Sequence, residues 1–379
     1  MRINSFGKVI FLAMLLLLPA AAYASGGEAD TAVVFADSNM ERLVRQALDR
    51  SEGDIMTDEL AGIKTLTIYY NQIEMLETDE KETGLQDGFP PETAAEEEIQ
   101  SLDDLQWFPN LEKLVIFGHR SLCDIDGVAG LSGLQELDLS YAGVEDIEAV
   151  SKLTKLRSLC LGGTNIADIR ALSGLTSLQY LYLHQTDIED ISVLSGLTGL
   201  EILRLDYTDV KEISALSALK NLRTLHLHNT GIQDITALSG LTRLEDLLLY
   251  DTGVEKIDAL SGLTSLRQLG LARTSVADIE ALAGLTGLQA LWLEETKVEN
   301  ISPLGGLSQL QELSLKNTEV KDISALEGAY HLQSLNLVGT GVEDVSVLAG
   351  LTRMQNLSLS KDTAADVSCL EDRMSIRYD

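Results

Sequence analysis

The sequence predicts an α/β solenoid: short parallel strands stacked on a concave face, 3-10 or irregular turns on the convex face, and a helical cap over the N-terminal end. Three observations predict it. A leucine, or once a methionine, recurs every 22 residues from Leu134 to Met354. Each is followed three and five residues later by further leucines, as in Leu156/Leu159/Leu161 and Leu178/Leu181/Leu183. A threonine repeats at the same pitch without a miss from Thr164 to Thr340. The 379 residues are 45% hydrophobic with only 5 prolines, so there is apolar surface for one long stacked core.

Each part of the repeat has its own physical reason. Alternation in the L-x-L segment sends leucines inward and the residues between them outward, as in a strand with one buried face. The following L-x-x-L half, as in Leu172 and Leu175, returns along the other side as a 3-10 turn. The whole matches L-x-x-L-x-L-x-x-(N/T)-x-L, the leucine-rich repeat. A single coil cannot bury its own leucines, so stacking stabilises it, at about 1.5–3 kcal/mol per enclosed leucine. The threonine hydroxyls are expected to satisfy backbone groups of adjacent coils. A second polar column includes Asp124, Asp146, Asp168, Asp190 and Asp234 and runs on to Asp366, just ahead of each turn. It predicts turn caps; a calcium ladder would need clustered acidic ligands, and Lys256 interrupts the column.

The ends differ from the middle. Ser38 to Asp49 predicts a helix, with Ser38 and Glu41 as a capping box and Met40, Leu43, Val44, Ala47 and Leu48 on the buried face. A first coil follows at Ile63, Leu66 and Ile68, with Asn71 in the threonine slot. The next coil starts at Leu111. The segment 74–98 between them is rich in Glu, Gly and Pro and predicts an acidic inserted loop that does not pack. The coil starting at Leu111 carries one extra residue near Phe117 to Ser121. The domain plan is therefore a signal peptide at 1–24 and an N-terminal cap at 25–62. About thirteen coils over 63–359 and a C-terminal half-coil cap at 360–379 complete it.

Met1 to Ala24 has the marks of an export signal. Arg2 and Lys8 precede the apolar run Val9 to Leu18, and Ala22-Tyr23-Ala24 supplies a small-x-small cleavage site. Ten apolar residues fall short of a bilayer span, so the expectation is an exported protein with no membrane span after cleavage. Lys and Arg number 28 against 59 Asp and Glu, a net charge of −31, which argues against nucleic acid as a partner and favours a basic one. Cys123, Cys160 and Cys369 lie in separate coils, so no disulfide is expected.

These features resemble the bacterial internalin-type leucine-rich repeat family. The resemblance rests on T-x-I-x-D-I at Thr186 to Ile191 and S-G-L-T at Ser195 to Thr198. The segments Phe35 to Glu41 and Gly53 to Thr57 are similar to that family's helical cap. It covers about residues 35–370. It implies an exported right-handed horseshoe that binds other proteins through its concave sheet. Many members carry an immunoglobulin-like domain and a cell-wall sorting signal after the repeats, and neither pattern occurs in this sequence.

The repeat leaves free the positions two, four and six residues after each coil's first leucine, which line the concave face. They hold Tyr180, Tyr182, His184, Arg204, Asp206, His226, His228, Tyr250 and Trp292, and Tyr207 follows one residue on. Aromatic residues are only 5% of the chain, so this clustering has an interface composition. These ten residues are the candidate site of a protein or peptide partner. Aromatic stacking on sugars makes a glycan the alternative. His184, Asp206 and His228 share a column on successive strands and would form either a hydrogen-bonded row with Arg204 or a zinc or nickel site. The neighbouring cation favours the hydrogen-bonded row, so neither metal nor cofactor is expected. No nucleophile elbow, phosphate loop or H-E-x-x-H motif is present, and no enzymatic activity is expected.

Overall fold

The computed structural model describes residues 30–70, 72–76, 98–361, 367, 370 and 374–379. The export signal at 1–24, most of the acidic insertion (77–97), Asn71, Asp366 and Cys369 lie outside the described residues. Helix α1 (Ser38–Ala47) and the short α2 (Thr57–Ala61) come first. The strands β1 (Thr65–Tyr69), β2 (Gln72–Leu76) and β3 (Lys113–Phe117) follow. Next are β4 (Glu136–Asp138), β5 (Ser158–Cys160), β6 (Tyr180–Tyr182), β7 (Ile202–Arg204), β8 (Thr224–His226) and β9 (Asp246–Leu248). The series ends with β10 (Gln268–Gly270), β11 (Ala290–Trp292), β12 (Glu312–Ser314), β13 (Ser334–Asn336), β14 (Asn356–Leu359) and β15 (Ser375–Tyr378). They make one open sheet in the order β15 to β3, then β1 and β2, the solenoid that the 22-residue period predicts.

The core sits behind this sheet as columns of leucine. Leu181, Leu203, Leu225, Leu247, Leu269 and Leu291 pair directly across neighbouring parallel strands, and all are fully buried. Equal repeat length makes this register automatic, because each coil returns its strand to the same height as the last. The convex side is a series of 3-10 turns such as Arg170–Gly174 and Ser192–Gly196. The acidic column caps them. Asp168 Oδ1 accepts from the Arg170 N–H at 2.9 Å, and Asp190 Oδ1 from the Ser192 N–H at 2.8 Å, with the same contact at Asp234, Asp322 and Asp344.

Several local expectations are corrected. The threonine hydroxyls do not bridge coils. Thr208 Oγ1 donates to the Leu205 carbonyl at 2.7 Å, and the others likewise bond three residues back in their own coil. A hydroxyl one bond from the backbone reaches the turn it sits in before it reaches the next coil. The cap of α1 is Asp37 instead of Ser38, with Oδ1 accepting from Asn39 and Met40 N–H. Glu41 turns outward to Arg45 at 2.8 Å. Asp37 wins because its Oδ2 also takes the N–H groups of Gln100 and Ser101, tying the helix to the next coil. Ala47 is exposed, while Met40, Leu43 and Val44 are buried.

The predicted insertion packs at both margins. Residues 74–76 belong to β2, which runs antiparallel to β1 in the register Leu66↔Met75 and covers what would be an open sheet edge. Glu98 is buried; its carboxylate accepts the Ser121 N–H at 2.5 Å and its carbonyl the Asn39 amide. The extra residue near Phe117–Ser121 makes room for His119, which is fully buried and accepts the Ile99 N–H at 3.0 Å. At the far end a last strand closes the series. β15 pairs parallel to β14 with Leu357 opposite Ile376.

Candidate functional site

Tyr180, Tyr182, Arg204, His226 and Trp292 lie on β6, β7, β8 and β11 and alternate with the buried leucines. His184, Asp206, His228 and Tyr250 follow immediately after β6 to β9. Tyr207 stands beyond them, 51% exposed. It occupies a position the repeat holds in the left-handed region: Tyr70, Tyr141, Gln185, Tyr207, Asn229, Asp251, Arg273, Glu295 and Asn317 all have φ between 53° and 59°. Such a conformation disfavours a bulky side chain, and Asn, Asp or Gly takes it most easily. The turn after each strand imposes it on coil after coil, so this strain belongs to the scaffold.

The middle of the face is one connected cluster. Asp206, only 2% exposed, accepts from Arg204 at 3.1 and 3.2 Å, and its Oδ2 lies 3.5 Å from His228 Nε2. The His228 ring stacks on Tyr250 at 4.1 Å between centroids and meets Tyr207 edge-on at 5.5 Å. Burial pushes the His228 imidazole down to about 4, although the Asp206 carboxylate pulls the other way. The cause lies in the geometry. Asp206 already serves the Arg204 guanidinium, so its attraction for a second proton is shared, whereas the desolvation of His228 is not. The phenol of Tyr250 is pushed up by the same burial. Beyond Tyr250, Asp251 pairs with Arg273 at 2.6 Å and is held below the usual carboxylate range by it.

Of the predicted His184–Asp206–His228 row, Asp206 and His228 meet at 3.5 Å. The His184 ring lies against Gly162, where a Cβ would meet it at 2.3 Å. His226 pairs with Asp246 at 3.3 Å. Arg204 and His228 occupy the Asp206 carboxylate, and among the described residues no group of three or more His, Cys, Asp or Glu is placed to hold a metal ion. Trp292 stands apart from the cluster, across Gly270 on β10. Gly270 leaves room for its other neighbours: a Cβ there would lie 3.0 Å from Leu248 and 3.2 Å from Tyr250. Cys160 shares the face but is buried, its thiol pushed well up by desolvation, so it is no nucleophile.

A second aromatic cluster joins Phe117, six residues after Leu111 on the outward face, to tyrosines that the candidate site did not include. Tyr69 stacks on Phe117 at 4.6 Å, and Tyr70 and Tyr141 meet Phe117 edge-on at 5.8 and 5.2 Å. Glycine makes the space: with φ +83°, Gly118 sits where a Cβ would meet Tyr70 at 2.5 Å. Reading the seventh position of each coil, which brings Tyr70, Tyr141 and Tyr207 into one column, is the signal that would have found it.

Residues 154–196 and 198–240 match a family model described as leucine-rich repeats in two copies. No curated protein matches the chain. Among solved structures, the internalin inlF from Listeria monocytogenes is similar over 90% of this chain and 95% of its own, with 26% identity and a TM-score of 0.80. A leucine-rich repeat protein of Leptospira interrogans is similar over 73% of this chain and 74% of its own, with 19% identity and a TM-score of 0.67. The plant peptide hormone receptor RGFR1 in complex with RGF2 is similar over 72% of this chain and 48% of its own, with 17% identity and a TM-score of 0.58. These last two likenesses concern the fold alone. With the 22-residue period, the matched repeats and the internalin neighbour that spans nearly the whole chain, this protein is a leucine-rich repeat solenoid similar to the internalins.

Proposed function

We propose that this chain is an exported, non-enzymatic binding module that takes a protein or peptide partner on its concave face. The observation that carries this reading is the cluster of Tyr207, His228 and Tyr250 rings set over the buried Asp206–Arg204 pair. The leucine core lies on the other side of the strands and has no need of these side chains. Aromatic and arginine side chains already held by their neighbours lose little entropy on binding, which is how interface anchors work. The likeness to a peptide receptor in its complex and to an internalin supports the same reading. Among the described residues no helix is long and apolar enough to cross a membrane, which fits a chain released after export.

Once a partner is captured from the surroundings of the producing cell, the test is its affinity for variants. Tyr182→Ala, Tyr250→Ala and Trp292→Ala are each expected to weaken binding by about 1–3 kcal/mol. Lys152→Ala, in the convex turn Glu148–Lys152, is expected to leave it unchanged. Unchanged affinity in a Tyr182/Trp292 double variant, with loss from the convex change, would move the partner to the other side. Selective binding on a sugar array with no protein captured would replace the protein reading with a glycan one.

A further inference from the structure

Beside the aromatic cluster, a groove of about 400 Å³ runs across β6 to β10. Its floor is made by Tyr180, Ile202, Thr224 and Asp246, the first outward residue of each strand. One wall is a charge ladder. Arg223 bonds Glu245 at 2.6 Å and approaches Glu201 at 3.8 Å, and Arg267 approaches Glu245 at 3.8 Å. Two cations and two anions in alternation cancel, so the wall has no net preference for a charged ligand. The charge left over is Asp246 on the floor. Its Oδ2 faces His226 at 3.3 Å, while its Oδ1 is buried and has no hydrogen-bond donor from the protein. With one imidazole as its neighbour at 3.3 Å and 26% of its side chain exposed, the Asp246 carboxylate has acceptor capacity left for a donor that a ligand brings.

Resting on the concave-face reading above, we infer that this groove is a subsite for an arginine side chain of the partner, with Asp246 as its acceptor. The chemistry selects a cation of that shape. The net charge of −31 draws in a positive partner. Thr224 and Ile202, one and two strands from Asp246, line the groove beside which the aliphatic stem of an arginine can lie. Four strand spacings of about 4.8 Å make a track about 19 Å long, enough for about six residues of extended chain in all, the arginine included.

The probe is a blocked pentaglycine peptide with arginine at its centre, titrated against the full chain while the Ile202 methyl resonance is followed. A shift of that methyl is expected by about 10 mM peptide. At least a tenfold weaker response is expected for Asp246→Asn and for the same peptide with uncharged citrulline in place of arginine. Lys152→Ala serves as the control and should respond like the wild type. No Ile202 shift at that concentration, equal binding by Asp246→Asn, or equal binding of the citrulline peptide would each overturn the inference. Partner capture separates the two proposals. If Tyr182→Ala and Trp292→Ala weaken the whole partner while Asp246→Asn does not, the subsite falls and the concave face stands. If none of them matters, both fall.

Discussion

His228 ties acid sensitivity to the centre of the concave face. Its folded-state pKa lies at about 4, against about 6.5 for an unburied imidazole, so between those values the unfolded chain binds a proton that the folded chain refuses. The stabilisation is therefore present above about pH 6.5, shrinks as pH falls, and is gone below about pH 4. The whole difference, 6.5 − 4, corresponds to about 3.4 kcal/mol, of which about 2 kcal/mol is lost by pH 5. The capping carboxylates act lower down. Asp190, Asp234 and Asp322 are held below the usual range chiefly by backbone N–H groups, so their stabilisation is lost only below about pH 4. His119 is also pushed down by burial and moves in the same direction as His228, so the comparison needs a variant at one site. Urea unfolding of the wild type and His228→Gln at pH 7.5 and 5.0 supplies it. The wild type should lose about 2 kcal/mol more than the variant over that interval. The imidazole resonance of His228 should titrate near 4. A midpoint near 6.5, or equal pH slopes for the two proteins, would refute the argument that burial outweighs Asp206 at this position.

Leu225→Asp puts a carboxylate between Leu203 and Leu247 in the fully buried column and should abolish cooperative melting, whereas Thr224→Asp, one residue away and outward, should fold. A Leu225→Asp melt within a degree of the wild type would contradict the stacked core. Asp37→Ala strands four backbone N–H groups that Asp37 now satisfies and should cost about 3–5 kcal/mol at the N-terminal cap. Glu41→Gln should cost less than about 1 kcal/mol, because its pair with Arg45 is partly exposed. Equal loss in the two variants, read by amide exchange in α1, would restore Glu41 as the capping partner.

The 22-residue period dictates the coil, the register and the face. With every coil 22 residues long, Leu203, Leu225 and Leu247 must align, and the residues between them must face out. Tyr182, Arg204, His226 and Trp292 could therefore be assigned to one surface from their numbers alone. Tertiary structure decided which of them meet, because a side chain's direction depends on the size of what stands in the next coil. Gly162 makes the room that the His184 ring fills, Asp206 is met by Arg204 and His228, and Gly270 leaves the space beside Tyr250. Burial of the outward residues was likewise invisible in the repeat: Cys160 and Asp206 are covered by neighbouring side chains, and Asp246 keeps a carboxylate oxygen with no donor. The ends were the least legible, since they break the period. Asp37 caps its helix partly through groups more than sixty residues away, and β2 exists because the edge of β1 needs a partner. Repetition makes local pattern sufficient wherever one coil meets its copy. Where unlike surfaces meet, only the folded contacts decide.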